Sequence, residues 1–284
     1  DMADYLMVAD INVLALSEIS STNSVTGEAR NQQLDETFAR LSINGASWQY
    51  RLFEKRPGAR APDDQWTGLA WNTAKVQLVG EPWKIDTNID EAKEKEIAKQ
   101  LSKESGTIIW SRTPYAVKLA AASGKTDFII VPVHMKSNSG GTATAKAREY
   151  EATLLVQGLK KLRTESGEKD IIVLGDSNML SSSEPAATVL KDFGFTDCNA
   201  RDMGTHISFN ANEKGAPFDR IFVMKDQNET KESCPSNGDG SAPLDFRIVR
   251  PEDWIHGMTP SEFRKKLSDH MLVRTGLCIG ADDD

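Results

Sequence analysis

The chain has 284 residues, with 34 lysines and arginines against 42 aspartates and glutamates, a formal charge of −8. That acidity excludes a globally basic nucleic-acid binder, although a local patch or a metal still brings an acidic protein to phosphate. No stretch approaches the ~18 consecutive apolar residues of a membrane span. The opening Asp1-Met2-Ala3-Asp4 carries no basic leader, so no signal peptide is expected in this chain.

In chain order, Val13–Leu16 is a short apolar run that ends on Ser17-Glu18. Asn31–Ser42 predicts a helix with Leu34, Phe38 and Leu41 on one face. A basic stretch follows, Arg51, Lys55, Arg56 and Arg60, with Glu54 among them. Gly68–Trp71 and Val76–Val79 flank a turn-like Asn72–Lys75 and read as a hairpin. Glu91–Lys103 predicts a helix with Ile97 and Leu101 inward. The β-branched Asp127–Val133 predicts a buried strand ending at His134, and Ala143–Arg163 a helix stopped near Gly167. Ile171–Leu174, Ile221–Val223 and Met271–Val273 are further strands, Ser233–Ala242 is loop-like, and Gly280–Asp284 is a small acidic tail. There is no internal repeat. Strands and helices mixed along one chain predict an α/β (α+β) fold with mixed rather than purely parallel sheets.

Four polar clusters end apolar runs, where side chains reach the rim of a sheet. They are Glu18 after Val13–Leu16, His134 with Lys136 after its strand, Gly175-Asp176-Ser177-Asn178 after Ile171–Leu174, and Ser268-Asp269-His270 before Met271. Asp176 and Asn178 point to one side at period two, a carboxylate and an amide suited to a hard cation and a phosphate oxygen. Taken singly, each cluster has a bland reading: a solvated charge, a structural imidazole, an Asx turn, a plain turn.

Together, in this order, the clusters resemble the endonuclease/exonuclease/phosphatase superfamily, the deoxyribonuclease I-like phosphodiesterases. Ser111-Arg112-Thr113-Pro114, Phe218-Asp219-Arg220-Ile221-Phe222-Val223 and Gln65–Trp71 extend the match, and Arg148 and Glu151 fall where the family's helix carries an arginine and a polar residue. The resemblance implies a two-layered β-sandwich of mixed sheets flanked by helices, as one domain over residues 1–279 with a tail at 280–284. Members of the family begin with a strand carrying an asparagine. Here Asp1–Leu6 resembles the tail of the helix after that strand, so the strand and its asparagine have no counterpart.

The resemblance also implies roles. Glu18, Asp176 and Asp269 match metal ligands, with Mg²⁺, Mn²⁺ or Ca²⁺ as the cation. His134, Asp176, Asn178, Asp219, Asp269 and His270 match the catalytic set, with Asp219 orienting His270. Arg112 matches a phosphate-contacting arginine, and Gln65 falls where some members carry a glutamate that polarises His134. The implied activity is divalent-metal-dependent phosphodiester hydrolysis, with a DNA endonuclease as the first reading. The alternatives are a phosphatase or phosphodiesterase on a small or lipid phosphate, sphingomyelinase-like or inositol-phosphate-like, and a non-catalytic binding protein that keeps the fold. The expected partner is nucleic acid, above all DNA. No stable membrane insertion is expected; Pro251–Ile255 reads as a core-anchored turn ahead of a membrane-facing hairpin, and no protein partner is indicated. Cys198, Cys234 and Cys278 contain no C-x-x-C pair. Either Cys198 and Cys234 are bridged or all three are free in a reducing compartment. The sequon Asn228-Glu229-Thr230 and that bridge lean toward a secreted or periplasmic setting.

Overall fold

The structure is a computed structural model that describes residues 2–20, 23–25, 28–56, 65–101, 109–123, 126–139, 141–209, 215–225, 227, 229, 245–254 and 258–279, with the backbone alone at 23–25, 28, 101 and 254. The chain runs α1 (Met2–Val8), β1 (Val13–Ile19), β2 (Asn23–Val25), β3 (Glu28–Arg30), α2 (Gln32–Leu41), β4 (Trp48–Phe53), β5 (Trp66–Asn72), β6 (Val76–Leu78) and β7 (Trp83–Lys84). It continues through α3 (Glu91–Leu101), β8 (Tyr115–Ala121), β9 (Asp127–His134), α4 (Thr142–Ser166), β10 (Ile171–Asp176), α5 (Pro185–Phe193), β11 (Phe195–Asp197) and β12 (Asp219–Met224). It closes with β13 (Arg247–Val249), α6 (Pro251–Trp254), α7 (Pro260–Lys266) and β14 (Leu272–Arg274).

Two sheets face each other. The first has the order β1-β5-β4 and is antiparallel. The second has the order β11-β12-β10-β9-β8-β6, with β7 also on β8. In the second sheet β9 and β10 are parallel and the other pairs antiparallel. Successive side chains on a strand alternate between faces. Phe128 and Ile130 of β9, Ile172 of β10 and Ile221 and Val223 of β12 therefore pack inward, against Leu69 and Trp71 of the first sheet. Their neighbours Ile129, Val131, Ile171, Val173 and Phe222 pack outward onto Leu154, Leu155, Leu159 and Leu162 of α4 and Ala187 and Leu190 of α5. Burial on both faces explains why these strands read as unbroken apolar runs. On the far side, α1 and α2 cover Leu16, Tyr50, Leu52 and Ala70 of the first sheet through Leu6, Phe38 and Leu41. The result is the two-layered sandwich with helices outside.

The helix signals acted where the chemistry requires. Asn31 caps α2, its side chain accepting from Leu34 N–H at 2.9 Å. Gly167 ends α4 in the left-handed region, at φ 77°.

Two expectations are corrected. Gly68–Trp71 and Val76–Val79 do not form a hairpin: β5 belongs to the first sheet, while β6 pairs with β8 in the second. The turn between them is fixed by Asn72, whose side-chain oxygen accepts from Ser47 N–H at 3.2 Å and Ala74 N–H at 3.1 Å, and it carries the chain from one layer to the other. Cys198 is not bridged. It is a free thiol packed beside the inter-sheet core, where burial pushes its pKa up to about 12. Cys278 is the disulfide-bonded cysteine, and its partner lies outside the described residues.

Pro251 is buried at the head of α6. Ile255 lies outside the described residues, as do Arg60, Cys234, the sequon's Asn228 and Thr230, and residues 280–284. No helix among the described residues is long and apolar enough to cross a membrane.

Candidate active site

The ends of three adjacent strands build the buried half of the site. Register places His134 of β9 opposite Asp176 of β10, and Asp176 opposite Asp219 of β12. Gly175 makes the close approach possible. It holds φ 134°, and a Cβ there would lie 2.2 Å from Val133 O. Asp176 is 5% exposed. Its Oδ1 accepts from Asn178 N–H at 2.9 Å, so the expected Asx turn is present. Asn178, at φ 53°, donates Nδ2 to Met135 O at 3.2 Å.

Burial, then the neighbouring Asp219 charge, pushes the Asp176 carboxyl up to about 7. His134 Nε2 lies 3.4 Å from Asp176 Oδ2 and 3.7 Å from Glu18 Oε1. Its Nδ1 is buried without a hydrogen-bond partner. Burial, Arg112 and His270 hold its pKa well below the usual imidazole value, so the ring is neutral.

His270 behaves in the opposite way. Its Nδ1 meets Asp219 Oδ2 at 2.8 Å, and the same oxygen accepts from Thr205 Oγ1 at 2.6 Å. Burial opposes the charge on this ring, but Asp219, Asp176 and Asp269 outweigh it and raise the pKa to about 9. Two imidazoles in one site thus carry different charges, and the difference is which of them has a carboxylate bonded to it.

The remaining residues come from strand ends and loops. Glu18 is the next-to-last residue of β1, at φ 56°, where the β1–β5 register shifts, and its side chain is half exposed. Gln65 departs from expectation: its amide bridges Arg112 and Glu18 and makes no hydrogen bond to His134. Asp269 lies 3.3 Å from Arg264 Nη2 and 3.8 Å from His206 Nε2. Glu18, Asp176, Asp219, Asp269 and His270 line a cleft of about 850 Å³ whose walls include β1 and β14.

A buried bracket on α4 holds two of the site loops. Glu151 accepts from Trp110 N–H at 2.9 Å and Lys136 N–H at 2.8 Å, tying the Arg112 loop to the segment after His134. Arg148 donates to Lys136 O at 3.1 Å and to Glu184 Oε1 at 2.6 Å, and Glu184 accepts from Leu180 N–H at 3.0 Å. The basic stretch is less available than its sequence suggests. Arg51 pairs with Glu81, Arg56 forks onto Glu94 at 2.5 and 3.0 Å, and Lys55 lies over the Trp66 ring.

Sequence reasoning missed Thr205, His206 and Arg264. His206 bridges to His270 and its ring lies 5.4 Å from that of His270. The available signal was scarcity: the chain has four histidines, and three of them meet here.

Three donor groups have ligand atoms within 4.8 Å of one another: Glu18–His134–Asp176, Asp176–Asp219–His270 and His206–Asp269–His270. Glu18 and Asp176, expected as joint ligands, share a group, whereas Asp269 groups with the two histidines instead. The first group fits a hard divalent cation. It offers two carboxylates, one of them buried beside a further anion that strains its ionised form, which a cation would relieve.

No protein-family model and no curated protein sequence matches the chain. Solved structures do. A mannosyl-6-phosphatase from Bacteroides thetaiotaomicron is similar over 98% of this chain and 89% of its own, at 16% identity and TM-score 0.59. An endonuclease/exonuclease/phosphatase family protein from Leptotrichia buccalis is similar over 98% and 91%, at 11% identity and TM-score 0.59. The human nocturnin catalytic domain, solved with a bound sulfate, is similar over 80% and 75%, at 15% identity and TM-score 0.52. The chain therefore has the endonuclease/exonuclease/phosphatase fold, the deoxyribonuclease I-like arrangement expected from its motifs.

Proposed function

We propose that the protein is a divalent-metal-dependent phosphodiester hydrolase and that its substrate is DNA. The observation that carries the reading is the Asp219-bonded, cationic His270 within ligand reach of the buried Asp176. Attack of water on a phosphodiester needs a proton acceptor, a donor to the phosphate oxygens and charge compensation.

Glu18, with Asp176 beside it, would hold the cation, which when bound neutralises charge on the substrate phosphate. His270 is protonated at neutral pH and so donates to a phosphate oxygen. Asp176 would take the proton of the attacking water through the oxygen that Asn178 N–H leaves free. Arg112, oriented by Gln65, offers a forked donor to the phosphate. Neutral His134 adds no charge and fills the space between Glu18 and Asp176. The disulfide at Cys278 favours a secreted or periplasmic setting.

A second reading, a small phosphomonoester as substrate, is favoured by one observation: Arg51 and Arg56 are committed to Glu81 and Glu94. Nicking of supercoiled plasmid with Mg²⁺ or Mn²⁺, against EDTA and against Asp176→Ala, tests the first reading. Cation-dependent nicking lost in the variant supports it. Hydrolysis of a simple phosphomonoester without nicking selects the second, and hydrolysis of neither overturns both.

A further inference from the structure

Phe209 is 90% exposed, more than any other large hydrophobic side chain among the described residues. It is not a loose surface ring. The Arg264 guanidinium lies over it, 3.6 Å from the ring centroid. That guanidinium is itself held on three sides. Nη1 donates to Ile207 O and lies 3.1 Å from His206 Nε2, while Nη2 lies 3.3 Å from Asp269. His206 in turn packs edge-on to His270, at 5.4 Å between centroids. An unbroken run of contacts thus leads from the cationic histidine to an exposed aromatic face.

With its guanidinium spent on these partners, Arg264 is a positioning residue for the ring and not a phosphate ligand. The next two residues of α7, Lys265 and Lys266, are exposed. A flat ring backed by a guanidinium on one face and open on the other suits a stacked nucleobase.

We propose that Phe209, backed by Arg264, is a stacking subsite for a nucleobase flanking the scissile phosphate. This rests on the hydrolase reading and sharpens its substrate class to a polynucleotide with an unpaired base at the site. Stacking on an aromatic is worth roughly 1–3 kcal/mol per base, so its loss corresponds to about tenfold or more in affinity. The subsite is indifferent to which base is stacked, because every base has a π-face.

The experiment has two arms. In the first, a fluorescent oligothymidylate and an abasic oligonucleotide of equal length are titrated in EDTA with the wild type, Phe209→Ala and Phe209→Trp, read by anisotropy. The wild type is expected to bind the base-bearing strand about tenfold more tightly than the abasic one. Phe209→Ala is expected to lose that preference, and Phe209→Trp to keep it. Equal preference in wild type and Phe209→Ala, or no oligonucleotide binding by the wild type, overturns the proposal.

In the second arm, kcat/KM is compared for a nucleoside phosphodiester and a base-free phosphodiester. The ratio is expected to fall about tenfold in Phe209→Ala, through KM. An unchanged ratio overturns the subsite. Absence of hydrolysis on every substrate instead overturns the hydrolase reading, while the binding arm still decides the subsite. A preference for a sugar phosphate that depends on Phe209 would point to stacking of a sugar face and would also overturn the nucleobase assignment.

Discussion

Asp176 ends β10 and Glu18 lies one residue from the end of β1, and both reach His134, yet their surroundings differ. Asp176 is 5% exposed, lies between β9 and β12 with partners on both sides, and its ionised form is strained. Glu18 follows a register shift in a three-stranded sheet, and its side chain is half exposed. The buried half of the site, His134, Asp176, Asn178 and Asp219, is positioned by strand register and tight turns. The open half, Glu18, Gln65, Arg112 and Asp269, is positioned by side-chain contacts at strand ends and in loops. Burial raises the pKa of the Asp176 carboxyl and lowers that of the His134 ring, while the bonded Asp219 raises that of His270, so this part of the site suits proton transfer. Partial exposure lets a ligand reach and exchange at a side chain, so the open half suits cation and phosphate capture.

That division is breakable by substitution. The largest effects are expected at Asp176 and at His270, which Asp219 of the buried half holds: Asp176→Ala and His270→Ala should each lower kcat by about 10³-fold, with circular dichroism unchanged. A rate near wild type in either folded variant would remove the assignment. Asp219→Asn should cost about 10²-fold and also move the alkaline limb of the pH–rate profile. His270 owes its raised pKa to Asp219, so removing that anion lowers the pKa, and the limb near pH 9 should shift toward neutrality. An unmoved limb would mean that His270 does not set it.

Metal-free stability gives an independent reading of Asp176. Its folded pKa, about 7, lies above the unfolded value near 3.9. The native state therefore binds the extra proton, and stability is lost as pH rises through 7. In EDTA, Asp176→Asn should melt above wild type at pH 8 and converge with it near pH 4, as followed by thermal denaturation. Convergence at both pH values would show that Asp176 is not strained.

The smallest effect is expected from Gln65→Glu. The residue touches Glu18 and Arg112 and not His134, so the change should shift cation dependence by a few-fold and leave the pH profile in place. A moved profile would restore the coupling to His134.

Legibility in the sequence followed the same division. Strands β9, β10 and β12 are buried on both faces and announce themselves as β-branched runs. Their terminal residues His134 and Asp176 were readable for that reason, whereas Asp219 was readable only through the family resemblance of Phe218–Val223. Strand β8 was not, because alanines dilute it and Lys118 interrupts it; the lysine is tolerated because Asp127 and Glu168 lie 2.9 and 3.0 Å away. Strand β4 was hidden by Gln49 and Arg51 at its outward positions. The false hairpin at Asn72–Lys75 looked local, but the side chain that fixes it bonds to Ser47, 25 residues earlier. His206 ends no apolar run and joins the site through long-range contacts, its bridge to His270 and its approach to Asp269 and Arg264. No local pattern encodes such a contact.

The most direct test of the division is hydrolysis of a nucleoside phosphodiester at increasing Mg²⁺ by wild type, Glu18→Gln and Asp176→Asn. Glu18→Gln should need about 10- to 100-fold more cation and recover most of its rate at saturation, whereas Asp176→Asn should recover at no concentration. Full recovery of Asp176→Asn, or a Glu18→Gln enzyme that added cation cannot rescue, would contradict it.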